Sequence, residues 1–244
     1  MKYPYFTYDN VINQELQKEV WSYLLNQTYH AKRKTENKNN DRLFVVKYKP
    51  IDGKKEYLTT DLPNVNEQYM HRTIFGNNEE DLKQHFPIFK LWNEIKKTIG
   101  NNWSIEGNPE GFSTSDLSKT DCRVYVNIQP NERIKRSHTI HSDSNDLTEG
   151  KNYTLLYIAN PVWYPSWFAE NIFYETDTNS EDKQQFHKGY GQSRNYGIGE
   201  PYAVVPPKPG RVILYDGRTL HTTRPTAIWA EEMRYAIAFR IKKN

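Results

Sequence analysis

Residues 208–223, KPGRVILYDGRTLHTT, decide how the second half of the chain is read. Lys208-Pro209-Gly210 is a turn, because proline presets φ at a corner and glycine tolerates the conformations that follow it. Val212, Ile213, Leu214 and Tyr215 then form a β-branched and aromatic run of strand length. Asp216-Gly217 is a second turn dipeptide, so the expected arrangement is a hairpin whose return strand, 219–223, carries His221.

Outward from this stretch the same pattern repeats. Short runs of strand character at 123–129, 153–159, 172–174, 202–205, 211–215, 219–223 and 234–241 are separated by polar or Pro/Gly-rich connections, the sequence appearance of an antiparallel sandwich. Toward the N-terminus the period changes. Asn13 can cap a helix reaching about residue 26, with Leu16, Val20, Trp21 and Leu24 on one stripe. Pro87 suits a helix start, Ile88, Leu91, Trp92, Ile95 and Ile99 make its apolar face, and Gly100 ends it. Between the helices, 43–46 and 56–58 flank Asp52-Gly53 as a hairpin. The expected fold is α+β, mainly β: a double-stranded β-helix, or jelly roll, with supporting N-terminal helices. Residues 1–244 are read as one domain, with helical support and a hairpin over 1–119 and the jelly roll over 120–244. The polar stretch 175–200 is long for a connection inside a compact domain and is read as a lid.

Composition bounds the chemistry. Eighteen Tyr, 10 Phe and 6 Trp provide a core despite a mean hydropathy of −0.92. No apolar run approaches the roughly 20 residues that cross a bilayer, and the first residues lack a signal-peptide core, so a soluble, cytoplasmic protein is expected. The single cysteine, Cys122, excludes an internal disulfide and any Cys-based zinc cluster, leaving His and carboxylate as metal ligands. A net charge of +3 gives no reason to expect nucleic acid, and the basic stretch 32–55 reads as a solvated loop and hairpin.

His141-Ser142-Asp143 lies in SHTIHSDSND, and in extended chain residues two apart project to one side. With His221 the set is two imidazoles and one carboxylate, the facial triad that leaves three cis positions open on iron(II). Arg234 begins an alternation in which Arg234, Ala236 and Ala238 share one face and Tyr235, Ile237 and Phe239 the other. A guanidinium on a small-residue face can take a carboxylate in a fork that lysine does not reproduce. His138 is on the opposite side from His141, His187 lies in the lid, and Cys122 reads as a small buried residue.

The order HTIHSD, YTLLYIANPVW, PKPGRVILYDGRTLH, RYAIAFR resembles the prolyl 4-hydroxylase-like branch of the 2-oxoglutarate/Fe(II) oxygenases over about residues 120–241. The resemblance implies Fe(II) on His141, Asp143 and His221, 2-oxoglutarate as cosubstrate with its far carboxylate on Arg234, and O2 as oxidant. It implies hydroxylation of a substrate, a prolyl or other side chain of a peptide or protein first, with succinate and CO2 as coproducts. Ala169-Glu170-Asn171 departs from the Gly-Gly-Glu that members often carry there. Where relatives use a tyrosine on the cosubstrate this chain has Ile158. Tyr125 and Asn127, on one face of 123–129, are the candidate replacements, and Thr154 on the pocket-lining strand is a further cosubstrate contact. A small-molecule substrate is also open. So is a nucleic-acid demethylase, since Arg234 and Arg240 have that branch's Arg-x5-Arg spacing, although Ala236 and Ala238 replace its Asn and Thr. A jelly-roll binding module without catalysis is the third alternative.

Overall fold

The computed structural model describes residues 1–32, 43–51, 54–58, 71–76, 78–105, 123–129, 140–143, 152–177 and 197–244. The expected positions His138, His187 and Cys122, and most of the lid, lie outside the described residues. The strands are β1 (Tyr5–Tyr8), β2 (Thr28–Lys32), β3 (Leu43–Ile51), β4 (Lys54–Leu58), β5 (His71–Gly76), β6 (Trp103–Ile105) and β7 (Val124–Gln129), followed by β8 (Asn152–Ile158), β9 (Asn171–Asp177), β10 (Gly197–Val205), β11 (Val212–Asp216), β12 (Leu220–Thr223) and β13 (Arg234–Lys243). The helices are α1 (Gln14–Leu25), α2 (Glu79–Leu82) and α3 (Phe86–Ile99).

A large sheet runs β1-β11-β8-β13-β7-β5-β2-β3-β4, with β6 also on β13, and a small sheet runs β10-β9-β12. All described pairings are antiparallel. The two sheets and their helical backing are those of a double-stranded β-helix. The 43–51 and 54–58 segments pair as read, but they do not stand apart from the β half: β5 joins β7, so the first-half strands extend the large sheet.

Period-two alternation sorts side chains between two cores. On β13, Tyr235, Ile237, Phe239 and Ile241 join the larger core with Leu16, Val20 and Leu24 of α1 and Ile88, Leu91, Trp92 and Ile95 of α3. The helices form because their apolar residues recur at helical spacing, and their ends match the sequence. Asn13 Oδ1 accepts from the Leu16 amide at 2.8 Å, and Gly100 closes α3 with φ of 103°. Trp92 stacks on Phe239 at 5.4 Å and Trp21 meets Tyr235 edge-on at 4.9 Å. The opposite parity on the same strands, Tyr125, Leu156, Ile213, Tyr215 and Ala238, packs with Phe173 of the small sheet in an inner core. Backing by helices on one side therefore leaves the other face of β7, β8, β11 and β13 to enclose an interior.

The turn at Asp216-Gly217 corrects the hairpin expectation. β11 pairs with β8 in the large sheet, whereas β12 pairs with β9 in the small one, so the turn carries the chain from one sheet to the other. Asp216 serves that change of direction: its Oδ1 accepts from the Arg218 amide and Nε, each at 2.9 Å. The Asp-Gly signal read the turn correctly but carries no information on which partner the next strand finds.

Buried Asn160, at the end of β8, donates to the Met233 carbonyl and accepts from the Tyr235 amide, both at 2.7 Å. These bonds clamp the backbone on either side of Arg234, so the start of β13 is placed by an amide side chain as well as by the ladder. Among the described residues, no helix is long and apolar enough to cross a membrane.

Candidate metal centre

His221 lies on β12 and pairs with Phe173 on one side. On its other side an isolated antiparallel bridge joins it to His141, with the His141 amide to the His221 carbonyl at 3.0 Å and the reverse bond at 2.8 Å. The Asp143 amide donates to the Gly217 carbonyl at 2.8 Å. Backbone pairing thus brings the two imidazoles to a ring separation of 4.5 Å and sets the carboxylate beside them. His141 Nε2 is 3.6 Å from Asp143 Oδ1, and His221 Nε2 is 3.6 Å from Asp143 Oδ2. One ligand atom from each of the three residues lies within 4.8 Å of the others, a group that could hold a metal ion. The His141 side chain is 49% exposed while those of His221 and Asp143 are 7% and 5% exposed, so the group opens to solvent on the His141 side.

Hydrogen bonding selects the state of His221. Nδ1 faces the Thr219 carbonyl at 3.0 Å; a proton held there leaves the Nε2 lone pair for a ligand. Burial lowers the imidazole from its usual 6.5 to about 4, against the pull of Asp143. The neutral form a metal requires is thus the resident one at neutral pH. Asp143 is pushed up by burial, but Arg240, His221 and its hydrogen bonds outweigh that and hold it well below the usual carboxylate range.

The His221 shift has a consequence for stability. Because the folded value lies below the unfolded one, the unfolded chain takes up the extra proton between about pH 4 and 6.5, and stability falls as pH falls through that window. A shift of this size corresponds to on the order of 3 kcal/mol for the metal-free protein. Urea unfolding at pH 7 and 4.5 should show the loss in the wild type and a flatter dependence in His221→Gln. Equal dependences would assign the titration elsewhere.

Arg240 supplies the countercharge. Its Nη2 donates to Asp143 Oδ1 at 2.6 Å and to Tyr125 OH at 2.7 Å, and its Nη1 lies against Asp143 Oδ2 and Thr154 Oγ1. Thr154 Oγ1 and Tyr215 OH each donate to Asp143 Oδ2 at 2.8 Å. The Tyr215 hydroxyl is also 3.2 Å from His221 Nε2. Burial first, and then the Asp143 charge, push its phenol well above 10, so it remains a hydrogen-bond donor.

Arg234 has the opposite surroundings. It is 4% exposed, and its Nη2 reaches Asn171 Oδ1 at 3.3 Å, which also accepts from Thr223 Oγ1 at 3.1 Å. Among the described residues, Arg234 Nε and Asn171 Nδ2 have no hydrogen-bond partner and no carboxylate pairs with the guanidinium. Burial alone lowers this arginine from 12.5 to about 10, with a small opposing pull from Tyr215. Two buried donors without an acceptor among the described residues fit an incoming carboxylate, and the small side chains of Ala236 and Ala238 lie between Arg234 and Arg240 on the same strand face.

The other expected contacts are distributed unevenly. Tyr125 and Thr154 sit in the Arg240–Asp143 network, not beside Arg234. Asn127 is opposite Ala236 on the neighbouring strand. Tyr157 points into the helix-side core, whereas Ile158 is buried opposite Ala236. Trp163 and Trp167 are buried in a small cluster with Ala169 and Ala230, and Trp229 is 59% exposed. Phe168 and Ala169 take φ of 60° and 68°, a region that favours glycine. Sequence reading assigned no site role to Tyr215 or Asn171 and met Arg240 only as half of a spacing; parity along β11 and β13 is the signal that puts Tyr215 and Arg240 on the inner face.

The fold is a double-stranded β-helix that carries a His-Asp-His group able to hold a metal ion. Among solved structures it is similar in fold to the non-heme alpha-ketoglutarate-dependent carbocyclase SnoK from nogalamycin biosynthesis, with TM-score 0.53 and 11% identity, over 99% of this chain and 80% of that one. EvdO2 from Micromonospora carbonacea var. aurantiaca, solved with 2-oxoglutarate, gives 0.49 and 9% over 99% and 87% of the two chains. A prolyl hydroxylase from Trichoplax adhaerens, in complex with a peptide of hypoxia-inducible factor, gives 0.46 and 14% over 98% and 83%. No family model matches the sequence, and no curated protein matches it.

Proposed function

We propose that this chain, as a single domain, is an Fe(II)- and 2-oxoglutarate-dependent oxygenase that hydroxylates an organic substrate. His141, Asp143 and His221 would hold the metal, and Arg234 with Asn171 would bind the distal carboxylate of the cosubstrate. The observation that carries the reading is Arg234. A guanidinium buried without a carboxylate partner among the described residues is costly unless a ligand supplies one, and it shares an inner face with the arginine that grips Asp143. When bound, Fe(II) and 2-oxoglutarate supply dioxygen activation, with succinate and CO2 as coproducts. The chain's own part is to orient and to exclude water. Arg234 fixes one end of the cosubstrate, Ala236 and Ala238 leave it room, and Asn127 borders it from β7. Tyr125 acts through Arg240 on Asp143, and Thr154 donates to Asp143 directly. The exposed side of His141 is the entry for substrate.

For the acceptor we propose a side chain of a peptide or protein, prolyl first, supported by the order of motifs in the sequence. The nucleic-acid reading rests on the Arg-x5-Arg spacing of Arg234 and Arg240, and it is the weaker one because Ala236 and Ala238 stand where that branch has Asn and Thr. Anaerobic addition of Fe(II) and 2-oxoglutarate should give a visible metal-to-cosubstrate charge-transfer band. Absence of the band in the wild type would remove the oxygenase reading. Succinate release is then compared with proline-rich peptides, methylated single-stranded DNA and polycyclic small molecules. Stimulation by peptide alone supports the acceptor proposed, and stimulation by either of the others replaces it.

A further inference from the structure

The two oxygens of Asp143 are equally placed for a metal and unequally surrounded. Each stands 3.6 Å from one histidine Nε2, Oδ1 from His141 and Oδ2 from His221, so ligand positions alone would permit both oxygens to bind the same ion. The donors break the tie. Oδ2 accepts from Thr154 Oγ1 and from Tyr215 OH, each at 2.8 Å, and lies against Arg240 Nη1 as well. Oδ1 meets Arg240 Nη2 at 2.6 Å. A carboxylate oxygen has about two lone-pair sites. Three donors occupy everything Oδ2 can offer, while Oδ1, which meets Arg240 Nη2 and stands 3.6 Å from His141 Nε2, is the less crowded oxygen.

We propose that Thr154 and Tyr215 are positioning residues that confine Asp143 to metal coordination through Oδ1 alone. This rests on the metal reading above. Its consequence is the number of open positions. Two imidazoles and one carboxylate oxygen leave three sites of an octahedral ion free, enough for a two-point chelate and one further small ligand. A carboxylate bound through both oxygens would leave two and forfeit the last. Tyr215 is the more informative of the pair, because its hydroxyl, which gives its one proton to Asp143 Oδ2, also stands 3.2 Å from His221 Nε2 and so borders a second ligand, on the other sheet. The ring itself is anchored independently, 5.2 Å from Phe173 and 4.9 Å from His221 between centroids. Removal of the hydroxyl alone leaves that packing in place.

Mn(II) added without cosubstrate reads the number of coordinated waters through water-proton relaxation. The wild type should show three, and Tyr215→Phe with Thr154→Val should show two, a fall of about one third in the inner-sphere contribution. Each single substitution should fall part of the way. Both replacements are close in shape, and urea unfolding checks that each variant is folded. A folded double variant that binds Mn(II) with wild-type relaxivity overturns this inference and leaves the metal reading standing. Failure of the wild type to bind Mn(II) overturns both. A purely structural role for the hydroxyls would lower stability without changing the water count.

Discussion

Asp143→Ala is expected to abolish metal binding and, unlike a change at either histidine, to destabilise the metal-free fold by about 3–5 kcal/mol. The second effect follows from Arg240. Its guanidinium, on a side chain 19% exposed, lies against the carboxylate, and with Asp143 gone the charge keeps, among the described residues, the neutral hydroxyls of Tyr125 and Thr154. The two effects can be separated. Asp143→Ala combined with Arg240→Met removes both charges, so the urea midpoint should recover toward the wild type while calorimetric titration with Mn(II) still shows no binding. If the double variant were as unstable as the single one, the cost would lie in packing and not in the unpaired cation. If Asp143→Ala bound Mn(II) as the wild type does, the carboxylate would not be a ligand.

Arg234→Met is expected to act in opposite directions on two measurements. Cosubstrate binding should weaken by roughly 100- to 1000-fold, the equivalent of about 3–4 kcal/mol for a buried, charge-assisted fork. The same change should raise the stability of the cosubstrate-free protein, because a buried cation with no carboxylate partner among the described residues is replaced by an apolar chain of similar length. Lysine at this position should recover only part of the affinity, since a point charge does not reproduce two parallel hydrogen bonds. The readouts are the 2-oxoglutarate concentration that half-develops the anaerobic charge-transfer band and the urea midpoint without cosubstrate. Unaltered cosubstrate dependence would place the carboxylate elsewhere.

The elements that were legible in the sequence are those whose signals are local. The Asn13 cap, the apolar stripes of α1 and α3, and the alternation of β13 each report the surroundings of their own residues, and each appears where it is expected. What local pattern does not encode is partnership between distant strands. The Asp216-Gly217 turn looks the same whether it closes a hairpin or passes between sheets, and only long-range pairing of β12 with β9 decides. The same limit hid the contacts of the site. His141, Asp143 and Arg234 stand out by residue type and spacing, whereas Tyr215 reads as one more aromatic in a buried strand until its hydroxyl is seen against Asp143. Asn171 sits at a strand start where asparagine is unremarkable, and the arginine that gives it meaning comes from another sheet. β1, β2, β5 and β6 were missed because they are short or lack clear alternation, and their place comes from the edges they complete.

The backbone bridge between His141 and His221 makes an ion at this centre a stitch as well as a reagent. Two segments far apart in sequence are joined by this pair of peptide hydrogen bonds and by the Asp143–Gly217 bond beside it, and the imidazoles project from the pair. An ion joining the rings would fasten the seam from the side-chain end, so that opening it would require metal release. The free energy of amide protection at residues 141 and 221 would then rise with the logarithm of metal concentration, in step with each other, while amides of α1 on the far side of the large sheet would follow only global unfolding.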